Sequence, residues 1–174
     1  GLDGNDLLVG GLGNDFIDGG AGLDTVKVDD QFGFPNARNY SLSKSTDGTW
    51  SLSFTGPTIA IYPPQATNGT DTLINVERLK FRDKSFALDL DGNAGKAAKI
   101  IGSVLGSVSV SNPSFVGIGL DYLDKGMSYP DLGALALKAV GAVSNDVIVS
   151  TLWYNVLGFA ASSEQKAPYI KMLA

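Results

Sequence analysis

An aliphatic side chain recurs every nine residues at the start of the chain, as Leu8, Ile17 and Val26. Within the segments 1–9, 10–18 and 19–27, glycine holds the first and fourth places and aspartate the sixth. Six turn residues followed by a three-residue strand make nine, so two segments form one coil of a right-handed parallel β-roll. Strands of neighbouring coils then stack about 4.8 Å apart. The period therefore predicts a β-roll with the three aliphatic side chains in its thin core.

The pattern changes in residues 28–65, which we interpret as an insertion. Apolar and polar residues alternate with period two in YSLSKS (40–45) and WSLSF (50–54). With turn residues between them, these two segments predict a β-hairpin. Short apolar or alternating runs predict further strand segments at 58–62, 75–83 and 84–90.

Helical periodicity begins after residue 90, so we expect a β domain at 1–90 and a helical domain at 91–174. Capping residues mark the helix starts. The predicted helices cover 93–105, run from Asn112 to about Asp124, and begin after Ser128, Ser144 and Ser162. Pro168 is expected to shorten or kink the last helix. The predicted class is α+β: a short parallel β-roll with a β-hairpin insertion, followed by an all-α bundle of about five helices.

Composition narrows the chemistry that the chain can perform. Cysteine and histidine are both absent, which excludes disulfides, thiol chemistry, an imidazole base and the usual zinc ligands. Only oxygen ligands remain for a metal, and these favour a hard cation such as calcium. The 174 residues carry 13 basic and 18 acidic side chains, a net charge of −5. An acidic protein without a basic stripe is a poor nucleic-acid binder.

The excess of acidic residues lies in residues 1–30, which contain seven aspartates and a single basic residue, Lys27. In the predicted roll, Asp6 and Asp24 share one edge, and Asp15 lies on the opposite edge. Clustered carboxylates repel each other unless a cation lies among them. Two stacked carboxylates together with turn carbonyls make an oxygen cage of the size that calcium takes.

A degenerate fourth copy of the pattern occurs in ATNGTDTLI (66–74), where Gly69, Asp71 and Leu73 fall on the fourth, sixth and eighth places. Asp71 is therefore a candidate stacking partner for Asp15 and a candidate calcium ligand. The alternative is a plain turn before a strand.

The nonapeptides resemble the repeats-in-toxin (RTX, haemolysin-type) family, whose repeat is GGxGxDxUx with a large aliphatic residue at U. The alternative, a flexible Gly/Asp-rich linker, does not explain the aliphatic eighth place. The resemblance implies that Asp6 and Asp24 are side-chain ligands of one calcium ion. It also implies main-chain carbonyl ligands in the two stacked turns, with Gly1, Asp3, Gly4, Gly20 and Gly22 as candidates.

Residues 87–174 are similar to a helical domain of unknown function that recurs at the C-termini of secreted, RTX-containing proteins of Gram-negative bacteria. The similarity is carried by ALDLDGNAGKAAKIIG, DYLDKGMSYPDL and TLWYNVLG. No catalytic residues are attached to that family, so none is carried over.

Two weaker motifs have simpler explanations. Residues 89–93 (DLDGN) resemble the start of an EF-hand loop, but the twelfth place is Ile100 instead of glutamate. A helix N-terminus is therefore favoured over a calcium loop. Residues 41–44 and 163–166 match SxxK but lack the companion motifs of serine β-lactamases. We expect no catalysis at either.

These observations predict the calcium-binding C-terminal region of a secreted RTX-type protein that is not itself an enzyme. Gly1 falls partway through the pattern, so we expect a fragment of a longer protein. The resemblance implies export by the type I secretion machinery to the exterior or surface of a Gram-negative bacterium, with calcium-triggered folding there and one to three bound ions. No run approaches the ~20 apolar residues of a membrane span. The alternatives are an adhesion, surface-layer or self-association module, and an accessory domain of an upstream secreted enzyme.

Overall fold

The computed structural model describes residues 1–29, 36–57 and 69–174. The chain divides into two compact units, Gly1–Asp89 and Leu90–Ala174. Within the described residues, all strands lie in the first unit and all five α-helices in the second, so the predicted α+β class is confirmed. The strand predicted at 58–62 and the first residues of the degenerate copy, 66–68, lie outside the described residues.

The three nonapeptides form three short strands, β1 (Leu7–Leu8), β2 (Phe16–Asp18) and β3 (Thr25–Lys27). β1 and β3 pair in parallel with Leu8 opposite Val26, the separation of 18 that the period predicts. β2 lies in a second sheet, where it pairs in parallel with β6 (Thr70–Ile74). Successive repeats therefore alternate between two sheets, as in a β-roll.

The insertion forms the predicted antiparallel hairpin, with strands β4 (Tyr40–Lys44) and β5 (Trp50–Phe54). β5 also pairs antiparallel with β6, which gives the second sheet the order β2-β6-β5-β4. β6 is thus bonded to the roll on one side and to the hairpin on the other.

The strand predicted at 75–83 is wrong in extent. Residues 75–77 form a turn, and β7 covers only Arg78–Lys80, in parallel with β3. The chain then reverses into β8 (Ser85–Ala87), antiparallel to β7, so the first sheet has the order β1-β3-β7-β8. The apolar alternation continues through both turns because turn residues are buried in the same core as the strands.

One hydrophobic core holds the first unit together, with members from the repeats, the hairpin and the returning strands: Ile17, Val26, Ala37, Leu52, Leu73, Val76, Leu79, Phe81 and Leu88. Two of the three eighth-place aliphatic residues belong to it, and the third, Leu8, packs against it. The eighth places therefore face the interior, as the period predicts.

The second unit consists of α1 (Asn93–Leu105), α2 (Pro113–Asp124), α3 (Tyr129–Ala139), α4 (Asn145–Leu157) and α5 (Ser163–Met172). Side chains cap four of the N-termini: Asn112, Ser128, Ser144 and Ser162 each accept a bond from a first-turn N–H. The boundaries agree with the sequence prediction because such caps are local features. Pro168 does not end α5, which continues to Met172.

The helices pack around a second core of Ala97, Ile100, Val104, Leu123 and Leu132. Among the described helices, none combines the length and the apolar character that crossing a bilayer would need.

Candidate metal centre

The six-residue turns 1–6 and 19–24 stack directly on each other at one edge of the roll. The Gly4 N–H donates to the Ala21 carbonyl at 2.7 Å, and the Ala21 N–H donates to the Leu2 carbonyl at 3.1 Å. Asp3 forms a parallel bridge with Ala21, which places its backbone beside the second turn. These contacts bring the carbonyl-bearing turns to the spacing of paired strands.

Glycine is required where the turns approach each other. Gly20 and Gly22 have φ of +95° and +145°, values that L side chains rarely adopt. A Cβ on Gly20 would overlap the Leu2 carbonyl oxygen, and one on Gly22 would overlap the carbonyl oxygen of Gly4. The carbonyl oxygens of Leu2 and Gly4 therefore approach the second turn more closely than a side chain would allow.

The two sixth-place carboxylates lie on this edge, one above the other. The Asp6 N–H donates to Oδ1 of Asp24 at 2.8 Å, and Oδ2 of Asp6 accepts from the Leu2 N–H at 3.0 Å. Asp24 is fully buried, and its Oδ2 has no hydrogen-bond partner. A buried carboxylate oxygen without a donor is unfavourable unless something cationic satisfies it.

The first-place glycine of each turn faces the carboxylate of the same turn. A Cβ on Gly1 would overlap both Oδ2 of Asp6 and the carbonyl oxygen of Gly19, and one on Gly19 would lie 2.7 Å from Oδ2 of Asp24. A carboxylate oxygen and a carbonyl oxygen of the next turn thus converge on one glycine. A hard cation such as calcium can take both of these oxygens as ligands.

The opposite edge repeats the arrangement with Asp15 and Asp71. The Asp15 N–H donates to Oδ1 of Asp71 at 3.0 Å, and Oδ2 of Asp15 is buried without a partner. Burial raises the pKa of Asp71 above its usual value, and the charge of Asp15 adds to this, although the Asp15 N–H opposes it. The structure therefore brings Asp71 to Asp15, and a cation there would relieve the repulsion between them.

The asparagines at the fifth place also join the coils, which the sequence pattern did not predict. Asn5 Oδ1 accepts from the Leu23 N–H at 3.0 Å, and Asn14 Oδ1 accepts from the Thr70 N–H at 2.7 Å. Both asparagines therefore accept from the next coil, whereas the carboxylates of Asp24 and Asp71 accept from the previous one. The available signal was the repeated pair Asn-Asp in GNDLL and GNDFI.

Glu77 was missed as well. The Asp24 N–H donates to Oε2 of Glu77 at 2.8 Å, in the same way as the Asp6 N–H donates to Oδ1 of Asp24. Glu77 therefore occupies the position of a sixth-place aspartate in the coil after Asp24. No periodic signal pointed to it, because the insertion separates the two residues by 53 positions.

The donor set fits calcium and excludes softer metals. No group of three or more acidic side chains gathers around a common point in residues 1–29, 36–57 and 69–174. A site here would thus combine two stacked carboxylates with main-chain carbonyls. Calcium accepts such mixed oxygen ligands in flexible geometry, and the unpartnered oxygens of Asp15 and Asp24 lie where a cation is needed.

The other motifs have structural partners. Asp89, the first residue of the EF-hand-like segment, is paired with Arg78 at 2.6 Å, both largely buried. The lysine of the second SxxK segment, Lys166, is paired with Asp146 at 2.6 Å and bonded to Ser150 at 3.2 Å.

Comparison with known protein families agrees with the first unit's geometry. Residues 1–30 match the RTX calcium-binding nonapeptide repeat (4 copies). Neither a curated protein sequence nor a solved structure matches the chain. The resemblance of residues 87–174 to a C-terminal helical domain therefore stays a prediction.

Proposed function

We propose, from the identity of residues 1–30 as RTX calcium-binding repeats, that the chain is a non-catalytic region of a secreted RTX-type protein whose roll folds when it binds calcium. Asp6 and Asp24 would hold one ion with carbonyls of turns 1–6 and 19–24. Asp15 and Asp71 would supply carboxylates to another on the opposite edge. One observation carries the proposal: the buried, unpartnered Oδ2 of Asp24 beside the carbonyl-bearing turns.

Linkage makes calcium a folding ligand. The sites exist only when turns from different coils are stacked, so the unfolded chain lacks them. Extracellular calcium modules have Kd values of about 10⁻⁴–10⁻³ M. At a calcium concentration about ten times Kd, each site adds about 1.4 kcal/mol to the stability of the folded roll.

The proposed route of export follows from this dependence. In the calcium-poor cytosol, the repelling carboxylates keep the roll unfolded, and an unfolded chain passes through a type I secretion channel. Calcium outside a Gram-negative cell then permits folding. This part of the proposal is supported by the resemblance to RTX proteins and by the absence of any calcium-independent counterion for Asp24 among its described contacts.

Calcium titration of the chelated chain by calorimetry, with far-UV circular dichroism in parallel, tests the proposal. We expect binding of one to three ions and a gain of β signal. Asp24→Asn keeps an acceptor for the Asp6 N–H but removes the charge, so affinity should fall at least about tenfold. Asp29→Asn is the matched control, because the side chain of Asp29 is 56% exposed and paired only with Lys27 in the described contacts.

Absence of both heat and spectral change in the wild-type chain would refute calcium-triggered folding. Equal losses of affinity in the two variants would show that overall negative charge, and not the stacked turn, governs binding.

A second candidate function, self-association through the helical unit, is favoured by its apolar surface. A groove of about 410 Å³ between α4 and α5 is lined by Leu152, Trp153, Val156, Tyr169 and Met172, among others. Met172 is 81% exposed, and exposed apolar surface of this kind marks interaction sites. Light scattering over a concentration series would show dimer formation, and a constant monomer mass would exclude it.

A further inference from the structure

The turn at residues 75–77 continues the stack of turns on the edge that carries Asp6 and Asp24. β7 follows this turn and pairs in parallel with β3, Leu79 opposite Val26. The turn has three residues where the repeat turns have six, and it lies outside the segment that matches the repeat family. Even so, Glu77 of this turn accepts a hydrogen bond from the Asp24 N–H. Asp24 accepts the equivalent hydrogen bond from the Asp6 N–H.

The main chain of this short turn reproduces a ligand position of the repeats. A Cβ on Gly19 would overlap the carbonyl oxygen of Asn75 and lie 2.7 Å from Oδ2 of Asp24. On the preceding coil, a Cβ on Gly1 would overlap the carbonyl oxygen of Gly19 and Oδ2 of Asp6. The Asn75 carbonyl therefore stands where the Gly19 carbonyl stands one coil earlier.

Asn75 adopts a conformation that this position requires. Its φ is +50°, and it is the one residue other than glycine with a positive φ in the described part of the chain. Asparagine tolerates the left-handed region better than most residues. Its side-chain Nδ2 donates to Oδ1 of Asp18 at 2.9 Å, and the Gly19 N–H donates to the Ile74 carbonyl at 3.0 Å. The turn is thus fixed against the repeat turn before it.

The charge balance between the two turns calls for a cation. Asp24 is fully buried with Oδ2 unpartnered, and Glu77 adds a second carboxylate beside it. The neighbouring Arg78 directs its guanidinium to Asp89 at 2.6 Å and to the Glu77 carbonyl at 2.7 Å, so its charge is already compensated. Glutamate is one methylene longer than aspartate, which suits a turn that is three residues shorter.

We propose that Asp24, Glu77 and the carbonyl of Asn75 form a further calcium site, built by the end of the insertion outside the matched repeats. The site rests on the proposed function, because it needs the same folded roll. It would make calcium bind between the repeats and the returning strand β7. Calcium would then link the stability of the roll to that of the hairpin β7–β8.

Glu77→Gln tests this site. The variant keeps the size of the side chain and an acceptor for the Asp24 N–H but removes the charge. Calorimetry should show one fewer calcium ion, or one ion bound at least about tenfold more weakly. The melting temperature of the first unit in saturating calcium should fall below that of the wild type. Glu164→Gln is the matched control, because Glu164 is the other glutamate of the chain and lies exposed in the first turn of α5.

Glu77→Asp covers the case in which the glutamine variant does not fold. It keeps the charge and shortens the side chain, and we expect weaker calcium binding by a folded protein. Wild-type stoichiometry and affinity in folded Glu77 variants would overturn the site while leaving the repeat sites standing. A wild-type chain that binds no calcium would instead refute the proposed function and this site together.

Discussion

Individual side chains decide how the coils of the roll are joined. At two coil boundaries, the asparagines Asn5 and Asn14 accept from the next coil, and a carboxylate such as Asp24 accepts from the previous coil. These bonds satisfy turn N–H groups that the short strands leave unpaired. The second oxygen of Asp24 has no hydrogen-bond partner, and the proposed dependence of the roll on calcium rests on this atom.

Asp83 makes a similar bond in the hairpin region, and it predicts a pH dependence. The Ala37 N–H donates to Oδ1 of Asp83 at 2.9 Å, and this bond holds the pKa of Asp83 below its usual value. A carboxyl whose pKa is lowered by folding stabilises the protein above the unfolded pKa, and the contribution is lost as pH falls through the folded pKa.

We therefore expect the melting temperature of the first unit in saturating calcium to fall as the solution becomes strongly acidic, and to fall less steeply in Asp83→Asn. Thermal unfolding followed by circular dichroism over an acid pH series measures both slopes. Identical slopes for the wild type and the variant would contradict the assigned role of Asp83.

At the scale of secondary-structure elements, β6 joins the roll to the insertion. It pairs in parallel with β2 and antiparallel with β5. Its fourth residue, Leu73, is fully buried. The short strands of the roll would not be stable alone. The hairpin therefore helps to stabilise the repeats.

Leu73→Ala should consequently destabilise the whole first unit. Loss of a fully buried leucine costs about 2–5 kcal/mol, since a cavity remains. Leu2→Ala is the control, because Leu2 is 84% exposed and substitutions at such positions usually change stability by less than about 0.5 kcal/mol. Urea unfolding in saturating calcium measures the difference, and equal midpoints would mean that β6 is not central to the unit.

At the scale of the whole molecule, the two units have separate cores and separate chemistry. The acidic turns and all candidate calcium ligands lie in Gly1–Asp89, whereas the helices of Leu90–Ala174 are stabilised by caps and apolar packing. Each unit contains one of the two tryptophans of the chain, Trp50 and Trp153. Trp153 packs against Phe159 and Tyr169.

We expect calcium to shift the unfolding of the first unit and to leave that of the second unchanged. In a Trp50→Phe variant, emission reports Trp153 alone, and its melting curve should be the same in calcium and in chelator. In a Trp153→Phe variant, the thermal transition reported by Trp50 should be present in calcium and lost in chelator. A calcium-dependent Trp153 transition would show that the two units unfold as one.

The sequence by itself determined the features that depend on short-range order. The nine-residue period predicted the alternation of strands between two sheets, the inward aliphatic residues and the common edge of Asp6 and Asp24, because turn and strand lengths repeat without interruption. Caps such as Asn112 and Ser162 predicted the helix starts, since a cap bonds only to the turn that follows it. The repeat pattern also indicated calcium through its oxygen-only ligands.

Only the tertiary structure decided what lies beyond the insertion. The bond of Glu77 to Asp24 spans 53 residues, and no repeat pattern relates the two. The degenerate copy offered Asp71 as a candidate partner for Asp15, and the tertiary structure brings the two together across 56 residues. The turn of residues 75–77 was predicted as strand because burial in the core imposes the same apolar alternation on turn and strand alike. The positive φ of Asn75 and the unpartnered oxygen of Asp24 arise where two segments distant in sequence stack on each other. A local sequence pattern does not specify which distant segments pack together.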